Sequence, residues 1–109
     1  MGYQVDIAIN GKQTLEMSLR DIHHLIILDA GLPDMQGVEV GKKIRILEKD
    51  NKICRKPIIL LTAYPANNLK KWCEEAEIDN FSTKPIPYKD LSIMLENIFN
   101  QKAVNNETI

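Results

Sequence analysis

Three side chains that could do chemistry together each stand at the end of a short strand-like run. Asp29 closes the apolar run 25–28, Thr62 closes the run 57–61, and Lys84 follows a third, shorter run. A carboxylate, a hydroxyl and an ammonium suit phosphoryl transfer to the carboxylate, with Asp29 as nucleophile and Thr62 as a donor to a phosphoryl oxygen. Lys84 would neutralise the anionic charge, and a magnesium ion would be expected beside it. Each residue alone also fits a turn, a strand end or a solvated surface. Only the occurrence of all three at successive strand ends indicates phosphoryl transfer.

The elements that must position these residues follow from the spacing of the apolar side chains. Strands are predicted at 3–9, 24–29, 57–62 and 79–83, and helices at 11–21, 37–49, from Asn67 through Ala76, and 87–100. Strands that alternate with helices pair in parallel through right-handed crossovers. The carboxyl ends of such strands meet at one rim, where ligands bind. The prediction is an α/β protein with a doubly wound parallel sheet between two helical layers.

Composition limits the class of protein. A chain of 109 residues is one domain, predicted to span residues 1–100 with a flexible polar tail at 101–109. The 14 basic and 15 acidic residues nearly cancel, which argues against a nucleic-acid surface. No apolar run approaches the roughly 18 residues of a membrane span, and no signal peptide is recognisable. Cys54 and Cys73 have no metal-type spacing, so free thiols in the cytoplasm are expected.

Several of these residues together resemble the receiver domain of two-component response regulators. They are Leu28-Asp29, Pro33, Gly37, Thr62-Ala63 and Phe81-Ser82-Thr83-Lys84-Pro85. Residues 3–16 look like the second strand and helix of receivers found in hybrid histidine kinases. The resemblance covers about residues 2–100. It implies a three-layer, flavodoxin-like (CheY-like) fold.

The resemblance also implies a role for each site residue. Asp29 would accept a phosphoryl group from a phosphohistidine of a histidine kinase or phosphotransfer domain. Thr62 would shift toward that group, and Lys84 would be the conserved-type lysine of the site. Phe81 falls at the position of the aromatic switch, although a plain core aromatic is the alternative. The backbone carbonyl of Gly31 and the Asp29 carboxylate would coordinate the metal.

The chain departs from the family pattern at its N-terminus. Receivers begin with an apolar strand that ends in two magnesium-binding acids, and nothing before Asp29 supplies them. Asp6 and Asp21 are not placed to substitute, so the fold is expected to be truncated at the N-terminus and Mg²⁺ binding weak or absent. The missing strand is central in the order 2-1-3-4-5, which leaves two strand edges unpaired. The chain could be a fragment of a longer receiver, its edge strands could pair directly, or a homodimer could form through the unpaired strands.

Two other functions remain open at this level. A degenerate pseudo-receiver would act only as a protein-interaction module and never carry phosphate. A phosphatase that uses Asp29 as nucleophile would want a second carboxylate close by, and Asp34 beyond Pro33 fits that poorly. The leading prediction is a signalling module, not an enzyme, that switches a protein surface without contacting nucleic acid or membrane. The partner kinase, the stimulus and the output stay open.

Overall fold

The computed structural model describes residues 6–63 and 67–107, with side chains as far as residue 98. In chain order the elements are α1 (Gly11–Ser18), β1 (Ile26–Asp29), α2 (Gly37–Asp50), β2 (Ile58–Thr62), α3 (Leu69–Glu75), β3 (Asn80–Thr83) and α4 (Tyr88–Glu107). The strands form a parallel sheet in the order β1-β2-β3. A parallel sheet with intervening helices is the flavodoxin-like α/β architecture that the sequence predicts.

The middle strand β2 carries the core. Ile58 and Leu60 belong to a buried cluster with Val40 and Ile44 of α2. Ile59, which points to the opposite face of the sheet, is also fully buried. An unbroken apolar run is what a parallel strand covered on both faces requires. The buried core therefore fixes the position of β2. It also holds in place the polar residues at the two ends of that strand.

Several predicted elements differ from those in the structure. Residues 6–9 form no strand, and the first part of the predicted strand at 3–9 lies outside the described residues. In the described part of the chain no strand lies beside residues 6–9, and an extended segment without a partner has nothing to bond with. Helix α1 ends at Ser18, before Asp21 with its positive φ of 54°.

The two later helices differ from prediction in a similar way. Helix α3 has Asn68, not Asn67, at its N-cap. Helix α4 continues to Glu107, beyond the predicted end near residue 100. No glycine or proline interrupts residues 88–107, so the sequence contains no stop signal there. No helix in the described ranges has the length and apolar character needed to cross a membrane.

A buried ion cluster ties the amino ends of the strands to α2. Arg45 Nη1 donates to Glu48 Oε1 and to the carbonyl of Lys56, both at 2.8 Å, and Nη2 lies 3.0 Å from Asp79 Oδ2. The same Asp79 oxygen accepts the N–H of Ile58 at 2.7 Å. Arg45 and Glu48 are each only 5 % exposed. One guanidinium thus joins the end of α2 to the starts of β2 and β3.

Candidate functional site

The carboxyl ends of the strands bring Asp29 and Lys84 into contact. Lys84 Nζ lies 2.6 Å from Asp29 Oδ2, although Asp29 ends one outer strand, β1, and Lys84 directly follows the other, β3. Neighbouring strands are about 4.8 Å apart, so the long lysine side chain has to cross the end of β2 to reach the acid. The side chains are 43 % exposed for Asp29 and 37 % for Lys84. The pair is therefore open to a ligand from solvent.

Both carboxylate oxygens of Asp29 are engaged. The N–H of Gly31 donates to Oδ1 at 2.9 Å while Lys84 holds Oδ2. The hydrogen bond from Lys84 and then that from Gly31 lower the pKa of Asp29 below its ordinary value of 3.8. The acid is consequently ionised at neutral pH, which is the form that a nucleophilic carboxylate needs.

Thr62 lies between these two residues in the sheet. It is the last residue of β2. In the register of the sheet it lies beside Thr83 of β3, and the residue before it, Leu61, lies beside Asp29 of β1. Its backbone carbonyl accepts the N–H of Lys84 at 2.8 Å. This bond holds the backbone of Lys84 next to the end of β2. The residue is only 8 % exposed. The end of β2 thus holds the hydroxyl-bearing residue on the rim that carries the acid and the amine.

The remaining residues predicted from the resemblance lie beside this rim. Phe81 stands on β3 opposite Leu60 and packs, half-buried, against the core cluster. Gly31 is exposed in the turn after β1 and pairs across that turn with Gln36. Gly37 closes the turn, and a Cβ there would come within 2.5 Å of the Asp29 carbonyl oxygen. Only glycine allows α2 to begin so close to the acid.

Asp34 has a role that sequence reasoning missed. Its carboxylate oxygens accept the N–H groups of Gly11 at 2.6 Å and Lys12 at 3.0 Å, at the start of α1. These two hydrogen bonds lower the pKa of Asp34. The acid is a remote cap that joins the β1–α2 loop to α1. No local pattern could have identified a cap from a residue so distant in sequence.

The described residues do not fit a magnesium site built by this chain alone. No group of three or more acids, histidines or cysteines suited to a metal occurs among them. Magnesium demands octahedral oxygen coordination, which the Asp29 carboxylate cannot supply alone. Asp6 instead contacts His23 at 2.7 Å, and Asp21 pairs with Lys56 just before β2. Neither acid lies in a group of three such residues with Asp29.

Comparison with known proteins places the chain in a family. The sequence profile described as the response regulator receiver domain matches residues 1–96, and the chain belongs to this family. Hybrid signal transduction histidine kinase B of Dictyostelium discoideum is 33 % identical over 102 residues, which cover 86 % of this chain and 5 % of that kinase. The chain therefore spans a small part of the length of that relative.

Solved structures support the same conclusion about the fold. A CheY-like response regulator receiver domain protein from Methanospirillum hungatei superposes with a TM-score of 0.82 at 24 % identity, covering 95 % of this chain and 79 % of that one. The receiver domain of Ssk1 from Saccharomyces cerevisiae, solved with the histidine phosphotransfer signalling protein Ypd1, has a TM-score of 0.75 at 28 % identity. That match covers 84 % of this chain and 68 % of the other. The predicted receiver fold is confirmed.

Proposed function

We propose that this chain is a phospho-accepting receiver module of a two-component phosphorelay, with Asp29 as the acceptor. The observation that carries the proposal is the contact between Lys84 Nζ and Asp29 Oδ2 at the open rim of the sheet. An ionised carboxylate beside a fixed cation is poised to receive an anionic phosphoryl group. The half-exposed position of both side chains gives a donor protein access to the acid.

The transfer step has one bond formed and one broken. A carboxylate oxygen of Asp29 attacks the phosphorus of a phosphohistidine, forming an O–P bond while the P–N bond breaks. The electron pair of that bond stays on the imidazole nitrogen of the donor. Lys84 compensates the charge of the phosphoryl oxygens, and Thr62 donates a hydrogen bond to one of them. The product is an acyl phosphate on Asp29 and an unphosphorylated histidine.

Transfer of the phosphoryl group would change the shape of the protein surface. The phosphoryl group adds about −1.5 to −2 charges at a rim that holds one lysine. Movement of Thr62 toward it would free space for the half-buried ring of Phe81 to turn inward. The surface near β3 and its two flanking helices would then present a different shape to a partner. The module itself has no enzymatic output in this scheme.

The proposed partner is a histidine kinase or a phosphotransfer domain located, like this module, in the cytoplasm. Kinase B, the relative above, is a hybrid histidine kinase, and the Ssk1 receiver was solved with a histidine phosphotransfer protein. The near-zero net charge gives no reason to expect nucleic acid as a partner.

Phosphorylation of the chain by radiolabelled acetyl phosphate tests the proposal. Label should appear as a hydroxylamine-sensitive acyl phosphate on the wild type and on Asp34→Asn, and be absent from Asp29→Asn. Asp34→Asn is the matched control because it changes a carboxylate in the same loop whose hydrogen bonds go to the start of α1. Equal labelling of Asp29→Asn and the wild type would contradict the assignment of the acceptor.

The pseudo-receiver is the second candidate, and one observation favours it. The described residues fit no magnesium site, so weak labelling with little dependence on Mg²⁺ is expected. Rapid, saturable labelling of the isolated chain at millimolar Mg²⁺ would contradict this expectation. No labelling from acetyl phosphate or from a phosphorylated phosphotransfer protein would instead favour the pseudo-receiver.

A further inference from the structure

The start of α1 contains an asparagine followed by a glycine, a pair that the proposed function does not use. Asn10 is the N-cap residue, and its Oδ1 accepts the N–H of Gln13 at 2.8 Å. An asparagine before glycine is chemically labile, because glycine has no Cβ to shield the backbone nitrogen that attacks the asparagine side chain. The lifetime of the Asn10 amide therefore depends on how the fold holds this dipeptide.

Deamidation of Asn10 needs only water and a base. The Gly11 nitrogen gives up its proton to the base and attacks Cγ of Asn10, so that a new C–N bond closes a succinimide ring. The bond from Cγ to the side-chain nitrogen breaks, and that nitrogen takes up a proton and leaves as ammonia. Water then opens the ring at either carbonyl and gives aspartate or isoaspartate. The Gly11 nitrogen thus has to lose its proton and turn toward Cγ.

The contact with Asp34 opposes both of these requirements. The N–H of Gly11 donates to Asp34 Oδ1 at 2.6 Å, and the nitrogen has to leave this bond before it can turn. Deprotonation beside a carboxylate would also bring two negative charges together, which disfavours it. The hydrogen bonds from Gly11 and Lys12 lower the pKa of Asp34, so the carboxylate is ionised at neutral and alkaline pH.

The other side of the same peptide group is held by α1. The carbonyl of Asn10 accepts the backbone N–H of Thr14 at 3.1 Å and the hydroxyl of Thr14 at 2.8 Å. Gly11 is buried, and a Cβ on it would overlap the side chain of Met35. The dipeptide is therefore fixed between its own helix and the β1–α2 loop.

The bond to Asp34 can open without unfolding of the core. Asp34 lies in the loop that joins β1 to α2, and the residue is exposed. Exposed loops and helix ends open locally at a smaller free-energy cost than global unfolding, and groups that they cover become reactive during the opening. Separation of this loop from α1 would leave the Gly11 nitrogen without its carboxylate.

We propose that Asn10 is a deamidation site and that Asp34 protects it in the folded chain. While the loop contacts α1, Gly11 keeps its proton and Asn10 keeps its amide. When the two separate, the ring can close, and the loss of ammonia makes the change irreversible. The aspartate product retains an acceptor for the N–H of Gln13. The isoaspartate product has an extra methylene in the backbone and no longer fits the start of the helix.

Incubation of the full chain at mildly alkaline pH tests this protection. Peptide mapping by mass spectrometry measures conversion at residue 10, and labelling by an isoaspartyl methyltransferase measures isoaspartate. Asp34→Ala should raise the rate of conversion about tenfold, as expected when a helix cap is lost and the segment opens more often. Asp34→Asn keeps an acceptor without the charge, so its increase should be smaller.

Matched variants identify the site and exclude a general effect. Arg55→Ala removes another exposed charged side chain, one whose bonds go to Glu77 and Asp79, and should leave the rate at Asn10 unchanged. Asn10→Ser in the Asp34→Ala background keeps a capping hydroxyl but has no amide, so conversion at residue 10 should disappear. Asn51, which precedes Lys52, is an internal reference whose conversion should be equal in all variants.

The wild-type chain unfolded in guanidinium chloride gives the rate without protection, which should exceed the folded rate. Equal rates in the folded and unfolded wild type would overturn the proposal, and so would an unchanged rate in Asp34→Ala. An equal increase in Arg55→Ala would also overturn it, because loss of stability rather than loss of the cap would then control the reaction. Circular dichroism verifies that each variant is folded. None of these outcomes depends on phosphorylation of Asp29.

Discussion

The two ends of the sheet hold charged residues in opposite ways. At the amino ends, Arg45 and Glu48 are buried at 5 % exposure, and the guanidinium binds two carboxylates and backbone carbonyls. At the carboxyl ends, Asp29 and Lys84 make one ion pair with about two fifths of each side chain exposed. The amino ends therefore hold a buried network of hydrogen bonds and ion pairs, whereas the carboxyl ends hold a single ion pair that solvent can reach.

This difference predicts that the charges at the amino ends stabilise the fold, whereas the pair at the carboxyl ends is available to react. A buried charge without its partner retains a large desolvation cost, so breaking the amino-end cluster should be strongly destabilising. An exposed pair contributes little to stability and can be opened at little cost by an incoming anion. The proposed phospho-acceptor Asp29 lies at this exposed end, where an incoming phosphoryl group can reach it.

Removal of Arg45 should have the largest effect on stability. Arg45→Ala leaves the buried Glu48 carboxylate without its cationic partner, and should lower the free energy of unfolding by about 3–5 kcal/mol. Arg55→Ala is the matched control, because Arg55 also pairs with Asp79, at 3.0 Å, but is 53 % exposed. The control should lose about 1 kcal/mol or less. Urea denaturation measures both, and equal losses would remove the distinction between a buried and an exposed pair.

Removal of Lys84 should have the next largest effect. It should change the rate of phosphorylation and leave stability nearly unchanged. Lys84→Ala should slow the labelling of Asp29 by acetyl phosphate about 100-fold, as expected when one charge-stabilising donor is lost. The free energy of unfolding should change by about 1 kcal/mol or less. Lys89→Ala, an exposed lysine on α4, should leave both quantities unchanged. A large loss of stability in Lys84→Ala would show that the carboxyl end also supports the fold.

Asp34 should show a smaller effect that is confined to α1. Asp34→Ala removes both caps from the N–H groups of Gly11 and Lys12, and should speed amide hydrogen exchange at the start of that helix. Asp34→Asn keeps one acceptor and should have an intermediate effect. Labelling of Asp29 should persist in both variants. Loss of labelling in Asp34→Asn would mean that this acid serves the site as well as the helix.

The smallest effect should be the pH dependence of the Asp29–Lys84 pair. Lys84 and Gly31 lower the pKa of Asp29 below 3.8, so the pair stabilises the folded state above that pH. This contribution is lost as the pH falls through the lowered pKa of the folded state. Titration of the Asp29 carboxyl carbon by NMR should show a midpoint below 3.8, and Lys84→Ala should raise it. A midpoint unaffected by that substitution would show that Lys84 does not set the acidity.

Local patterns in the sequence were sufficient for the main elements and the candidate site. The unbroken apolar runs before Asp29 and Thr62 predict strands buried on both faces. The structure has strands there, and β2 is buried on both faces, but Ile27 of β1 is 45 % exposed. Alternation of strands with helices requires parallel pairing, which brings the ends of β1, β2 and β3 to one rim. The location of Asp29 and Lys84 on this rim follows from topology, because parallel strands all point the same way.

Other features were decided only by tertiary structure. The pattern of residues 3–9 predicts a strand, but residues 6–9 have no strand beside them in the described part of the chain. The Arg45 cluster and the Asp34 cap join residues more than twenty positions apart, at 34 for Arg45 and Asp79 and 23 for Gly11 and Asp34. Periodicity reports which face of an element is buried, whereas ion pairs and remote caps depend on which elements meet. The sequence therefore determined where β1, β2, β3 and Asp29 lie, and packing in three dimensions determined what each charge binds.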